Sequence, residues 1–264
     1  MTNSAGINRD EITRAVAAAI EPLDYVYAMW EGGAVAFDRV DEWSDIDICV
    51  SAEDGRIEEP FPVVEKALAS IAPIDLKYEV TGPKLGEYVQ AFYRLKGAGP
   101  YLLIDFAVFK HSARDKLLEH EIHGNSRFHF NKGGAVAVPA LDREAFMKRV
   151  AKTLVDLPVK MDMFVAFIPK EVYRGNVVAG VDFYRRFLLG GLAQVLRLKY
   201  APARYDFGLR YVYHDLPPDE VKRFEDLYMV RDADDLLEKY RSAKSWFEET
   251  IESLDIADIE KRLG

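Results

Sequence analysis

One cysteine, Cys49, stands in 264 residues. That scarcity excludes an internal disulfide and any site built from several thiolates; the simplest reading of Cys49 is a small buried apolar side chain in a reducing cytoplasm. No apolar run approaches the roughly 18 residues a membrane span needs, and no basic start followed by an apolar stretch marks a leader. The expectation is a cytoplasmic protein outside the membrane. Positive charge is also short: 35 Lys and Arg against 44 Asp and Glu leave a formal charge of −9. Long phosphate backbones bind through Lys and Arg that displace condensed counterions, so nucleic acid is disfavoured and a small or cationic acceptor favoured. Two common ways of holding a nucleotide are missing as well. No Gly-x4-Gly-Lys-Ser/Thr loop occurs, and Gly97-Ala98-Gly99 lacks the third glycine of a dinucleotide fingerprint. Glu119-His120-Glu121-Ile122-His123 is one residue too short for the zinc-peptidase pattern, which leaves its histidines as surface helix residues.

What is present suffices for ordinary cores: 49% of residues are hydrophobic and 30% charged, a folded rather than disordered composition. The length suits two modest domains. Asn8 is placed to cap a first helix, with Glu11 three residues on and Ile12, Val16 and Ile20 at helical spacing. Tyr25 to Trp30 reads as a strand ending at Gly32-Gly33, and Ile46 to Val50 as a second. Helical spacing returns over Phe61 to Ala72. Leu76 to Val80 looks extended, and Tyr101 to Phe109 is the strongest strand signal. The alternation around Asn131-Lys132-Gly133-Gly134 predicts a hairpin over Arg127 to Val138. From Asp142 onward helical segments dominate, near 142–157, 177–199, 218–227 and 232–262. The expected architecture is therefore an α/β domain over 1–140 followed by an all-helical domain over 141–264.

The alternation Asp45-Ile46-Asp47-Ile48-Cys49-Val50 projects both aspartates from one face of a strand, about 7 Å apart by Cα. Bringing such carboxylates together costs on the order of 4 kcal/mol at 4 Å for an effective dielectric near 20, unless a cation bridges them. Magnesium, a hard ion that takes carboxylate and phosphate oxygens, suits that role. Asp105 sits mid-strand in Leu103-Ile104-Asp105-Phe106-Ala107-Val108, where burial without a counter-charge is expensive. Three convergent carboxylates on neighbouring strands can hold two metal ions for an in-line displacement at phosphorus.

Gly32-Gly33, eleven residues, then Asp45-Ile46-Asp47 preceded by Ser44, resembles the signature of the polymerase-β-like nucleotidyltransferase superfamily over roughly residues 10 to 140. The resemblance implies an α+β catalytic domain with a mixed sheet and makes Asp45, Asp47 and Asp105 the metal ligands. Two Mg2+ ions are implied, with Asp105 also the acceptor of the incoming hydroxyl's proton. It makes Gly32 and Gly33 the turn that admits a nucleoside triphosphate, side-chain-free so that backbone can approach, with Ser44 beside it.

The tract Lys199-Tyr200-Ala201-Pro202-Ala203-Arg204-Tyr205-Asp206-Phe207-Gly208-Leu209-Arg210 is similar to the helical half of aminoglycoside-nucleotidyltransferase-like proteins. Arg185, Arg186, Arg197 and Lys199 are candidates to reach the β- and γ-phosphates, and Tyr205 to stack on base or acceptor; an ordinary solvated helix face and a core aromatic explain each equally well. Glu171, Asp182, Asp206, Asp215, Asp232, Asp234 and Asp235 offer an acidic surface for a polycationic sugar. The expected reaction moves AMP from ATP to the hydroxyl of a small acceptor such as an aminoglycoside. Transfer to RNA or protein, or nucleotide binding without turnover, are the alternatives.

Overall fold

A computed structural model describes residues 7–81 and 87–263. The chain divides into two compact units, Met1–Leu141 and Asp142–Gly264.

In the first unit, helix α1 (Arg9–Ile20) begins where the Glu11 amide donates to the Asn8 side chain at 2.8 Å. Strand β1 (Val26–Glu31) follows, then a single turn α2 (Gly33–Ala36), β2 (Ile46–Ala52) and helix α3 (Pro60–Ile71). Next come β3 (Ile74–Glu79), β4 (Tyr88–Leu95), β5 (Ile104–Lys110), a second single turn α4 (His120–His123) and β6 (Arg127–Asn131). Among the described residues these make a six-stranded sheet in the order β3-β4-β5-β2-β1-β6. Only β2 and β5 run parallel; the other neighbours are antiparallel, so the sheet is mixed.

Period-two alternation sends Ile46, Ile48, Val50, Ile104, Phe106 and Val108 to one face, where Ile12, Val16 and Ile20 of α1 and Val64 and Leu68 of α3 cover them. Burying a large apolar side chain contributes about 1.5–3 kcal/mol, so this layer is the main anchor of the sheet. The opposite face carries a smaller cluster built on Ala28, Trp30, Ala107, Phe109, Leu118 and Val136, with Cys49 packed at its border. The Trp30 ring lies 6.0 Å from Phe109 and 5.7 Å from Phe128.

The expected hairpin over Arg127 to Val138 does not form. β6 pairs with β1 instead, and Lys132–Gly134 makes a 3-10 turn. Asn131 explains the difference: its amide donates to the Val136 carbonyl at 2.7 Å and its side-chain oxygen accepts from the Val136 amide at 3.0 Å. One side chain thereby occupies the backbone groups a second strand would have used. Strand β4 lies outside the predicted strands, and β5 begins three residues after the predicted start at Tyr101.

The second unit is helical among its described residues. α5 (Arg143–Phe164) is capped by Asp142, whose side chain accepts from the Ala145 amide at 2.9 Å, and it runs past the expected end with Pro158 inside it. α6 (Phe167–Tyr173) and α7 (Val177–Phe183) follow; a π-helical stretch, Tyr184–Leu189, joins α7 to α8 (Gly190–Tyr200). After the short α9 (Val212–Asp215) come α10 (Pro218–Tyr228) and α11 (Ala233–Glu252). α12 (Ile256–Lys261) is separate from α11, because Asp255 accepts from the amides of Ala257 and Asp258 and starts a new helix. Leu157, Met161, Leu188, Leu192, Leu196, Trp246 and Phe247 form the core. Gly191 lets α8 press on α5, since a Cβ there would lie 2.7 Å from the Met161 sulfur.

Candidate active site

The parallel pair β2/β5 sets Asp47 directly opposite Asp105 in register. Paired residues on adjacent strands are about 4.8 Å apart and project to the same side, here the face away from α1 and α3. Two carboxylates are thus fixed side by side on the two central strands of the sheet. Asp105 is held from the neighbouring strand: the Gln90 side-chain amide of β4 donates to both of its oxygens, at 2.7 and 2.9 Å.

Asp47 is held by the glycine turn. The Gly32 amide donates to the Asp47 carbonyl at 3.0 Å, and Gly33 adopts φ +54° directly under the Asp47 side chain. A Cβ on Gly33 would fall 1.8 Å from Asp47 Oδ2. Gly33 is therefore glycine for two reasons, a left-handed backbone and the seat of a carboxylate. Gly32 differs: a Cβ there would meet nothing within 4 Å, so the turn is open on that side.

Asp45 precedes β2 and is the most open of the three. Partial burial raises its pKa, against the pull of the Leu103 amide and of Arg9. The Arg9 guanidinium reaches across from α1, donating to the Ser44 carbonyl at 3.0 Å and also to the Asp45 carbonyl. Its other nitrogen meets Glu31 at 3.3 Å. Glu31 is fully buried and also takes Arg127 and His129, the latter at 2.8 Å. Burial pushes the Glu31 pKa up, but the hydrogen bonds from His129 and Arg127 outweigh it and hold the carboxyl below its ordinary value.

The donor set on the Asp47 face is hard. Burial, and then the charges of Asp105 and Asp47, push the Cys49 thiol well above its ordinary pKa, so it stays protonated and does not compete as a thiolate. Carboxylate oxygens without thiolate or imidazole fit magnesium. Asp45, Asp47 and Asp105 do not, however, draw into one tight cluster. Among the described residues, the three groups whose ligand atoms all lie within 4.8 Å of one another are Asp115, Glu119 and His123, a different set. What the fold fixes is the Asp47 and Asp105 pair, with Asp45 two residues upstream.

No family model matches the chain, and no curated protein is significantly similar to it in sequence. Solved structures align with it along most of its length, among them two adenyltransferases. One is an aminoglycoside 6-adenyltransferase from Bacillus subtilis, at 9% identity and TM-score 0.37, covering 96% of this chain and 92% of that one. The other is a spectinomycin adenyltransferase from Enterococcus faecialis, solved with ATP and spectinomycin, at 10% identity and TM-score 0.36, covering 91% of this chain and all of that one. At those scores the likeness is one of outline and leaves the chemistry to the site itself.

Several residues proposed for nucleotide contact have other employment. The Ser44 hydroxyl closes a turn, donating to Asp41 at 2.7 Å and accepting from the Asp41 amide at 2.9 Å. Tyr205, in the second unit, is buried with its ring edge-on to Phe146 at 5.7 Å, a core position that leaves little surface for stacking on a base. Arg197 is fully buried and donates to Asp215 at 2.6 Å and to the Gly208 carbonyl at 2.8 Å. Arg186 is exposed and paired with Asp182 at 3.1 Å. Lys199 lies over the Tyr200 ring at 5.3 Å.

The acidic surface of this unit is also less available than its sequence suggests. Asp215 is matched by Arg197 and Arg204, Asp235 by Arg231 and Lys239, and Glu171 by Arg174. Asp232 caps α11. Sequence reasoning missed Gln90, Arg9 and Glu31, because each acts through a partner 15 to 36 positions away. Only Glu31, a charge at the end of an apolar strand, carried a visible signal.

Proposed function

We propose that the protein is a magnesium-dependent nucleotidyltransferase that moves AMP from ATP to a hydroxyl of a small acceptor and releases pyrophosphate. The observation that carries this reading is the register pairing of Asp47 with Asp105, with the Asp47 carboxylate seated over Gly33. Two acids so placed gain from a shared cation and lose without one. Asp47 and Asp105 would hold the metal, with Asp45 completing the set. The chemistry such ions supply is neutralisation of the triphosphate and of the departing pyrophosphate.

The chain's own groups do the rest. Asp105, oriented by Gln90, accepts the proton of the acceptor hydroxyl as its oxygen bonds to the α-phosphorus. The bond from that phosphorus to the bridging oxygen breaks, and pyrophosphate leaves with the electron pair. Gly32 offers an open backbone surface at the turn, where a triphosphate can approach without meeting a side chain. The net charge of −9 favours a neutral or cationic acceptor, such as an aminoglycoside, over a polyanion.

The test is incubation with each α-labelled nucleoside triphosphate and Mg2+, alone, with a panel of aminoglycosides, and with RNA. Label transferred to an aminoglycoside with matching pyrophosphate supports the proposal. Label in RNA or in the protein itself, and none in the panel, moves the acceptor to a macromolecule. Transfer that proceeds unchanged in Asp47→Asn contradicts the site.

A further inference from the structure

Arg9 lies outside every motif of the proposed site, yet it touches the end of β1 that leads into the glycine turn and the residues that lead into β2. Its Nη2 is committed to Glu31, the residue immediately before Gly32-Gly33, and its Nη1 to the carbonyls of Ser44 and Asp45, immediately before β2. We propose that Arg9 is a positioning residue which staples the glycine turn to the aspartate turn and so sets the placement of Asp45 and Asp47. This inference rests on the nucleotidyl-transfer reading for its consequence, though not for its geometry.

The charge balance supports the assignment. Glu31 is buried and receives Arg9, Arg127 and His129, so two permanent cations share one carboxylate. Glu31 therefore keeps a guanidinium partner if Arg9 is lost, whereas among the described residues no other side chain donates to the Ser44 and Asp45 carbonyls in place of Nη1. The side chain is 17% exposed, and its bonds to the Ser44 carbonyl and to Glu31 are partly buried, while the bond to the Asp45 carbonyl lies at the surface. Arginine is required in particular. A planar fork can present one nitrogen to two carbonyls and the other to a carboxylate, whereas a lysine ammonium is a single point with no such division. Arg127 supplies the control, because it bonds Glu31 without reaching the aspartate turn.

The experiment combines amide hydrogen exchange with Mn2+ titration in the presence of a non-hydrolysable ATP analogue, on Arg9→Met, Arg9→Lys and Arg127→Met. Loss of the fork should speed exchange over residues 41–47 by about tenfold in both Arg9 variants, with β5 still protected, and leave that segment within about twofold of wild type in Arg127→Met. Mn2+ affinity should fall about tenfold in Arg9→Lys and hold in Arg127→Met. Unchanged exchange over 41–47 in Arg9→Met overturns the proposal, as does equal loosening in Arg127→Met. If exchange responds as expected but wild-type protein takes up no Mn2+ with nucleotide, the staple stands and nucleotidyl transfer is the reading that fails.

Discussion

Replacing Gly33 by alanine separates a carboxylate seat from a generic flexible turn. The added Cβ would stand 1.8 Å from Asp47 Oδ2 and 2.6 Å from Cγ, in a backbone at φ +54°. The left-handed conformation costs alanine about 1 kcal/mol. Clearing the overlap requires the carboxylate to retreat by about 1 Å, which displaces Asp47 from its rotamer for a further 0.5–1.5 kcal/mol or so. The sum, roughly 2 kcal/mol, should lower the melting temperature of the first unit by roughly 5–10 °C. A misplacement of that size at a reacting centre costs about a hundredfold in rate. Gly32→Ala is the comparison, because its Cβ meets nothing within 4 Å and should cost less than about 1 kcal/mol. Calorimetric melting and pyrophosphate release on the two variants are the assays. Gly33→Ala with wild-type melting and turnover, or losses equal to those of Gly32→Ala, would show that Gly33 is not the seat of the Asp47 carboxylate.

Further expectations follow from the same contacts. Asp45→Asn, Asp47→Asn and Asp105→Asn should each reduce transfer about a thousandfold while melting in EDTA holds or rises, because each removes one of several like charges; a clear drop in stability with turnover retained would assign them to structure. Glu31 and Asp215 are both held below the ordinary carboxylate pKa, in each case because hydrogen bonds from basic partners outweigh burial. Their contribution is therefore complete above the unfolded value near 4 and is lost as pH falls through the lower folded value, so urea midpoints should fall on acidification and Glu31→Gln should flatten that slope. Arg197→Met leaves the buried Asp215 with Arg204 as its remaining cation and should destabilise the second unit by about 1.5–3 kcal/mol, read from its urea transition.

How much of this was legible in the sequence depended on the range of the interaction. Local patterns served well: Asn8 capping α1, the alternation that places Asp47 opposite to Ile46 and Ile48, and the shift to helical spacing at Asp142 all appear in the fold. Contacts decided by a distant partner did not. The strand partner of β6 is β1, more than ninety residues earlier, and the predicted hairpin failed because one asparagine side chain captured the Val136 backbone. Charge in the second unit follows the same rule. Arg197 and Asp215 look like a free cation and a free anion along the chain, and they meet in the core only after the helices pack. At the site, the aspartates were visible, but Gln90 and Arg9, which orient them, are ordinary polar residues until the sheet forms.

Calorimetric titration with ATP separates a cation-dependent nucleotide site at Asp47 and Asp105 from a purely structural pair of acids. In Mg2+ the wild-type protein should bind ATP with a measurable heat. In excess EDTA, and in Asp47→Asn with Mg2+ present, affinity should fall by about a hundredfold or more, because triphosphate then meets uncompensated carboxylates or a broken ligand pair. ATP bound equally tightly in EDTA and in Mg2+, or unaffected by Asp47→Asn, would rule out a metal-dependent nucleotide site at these two aspartates.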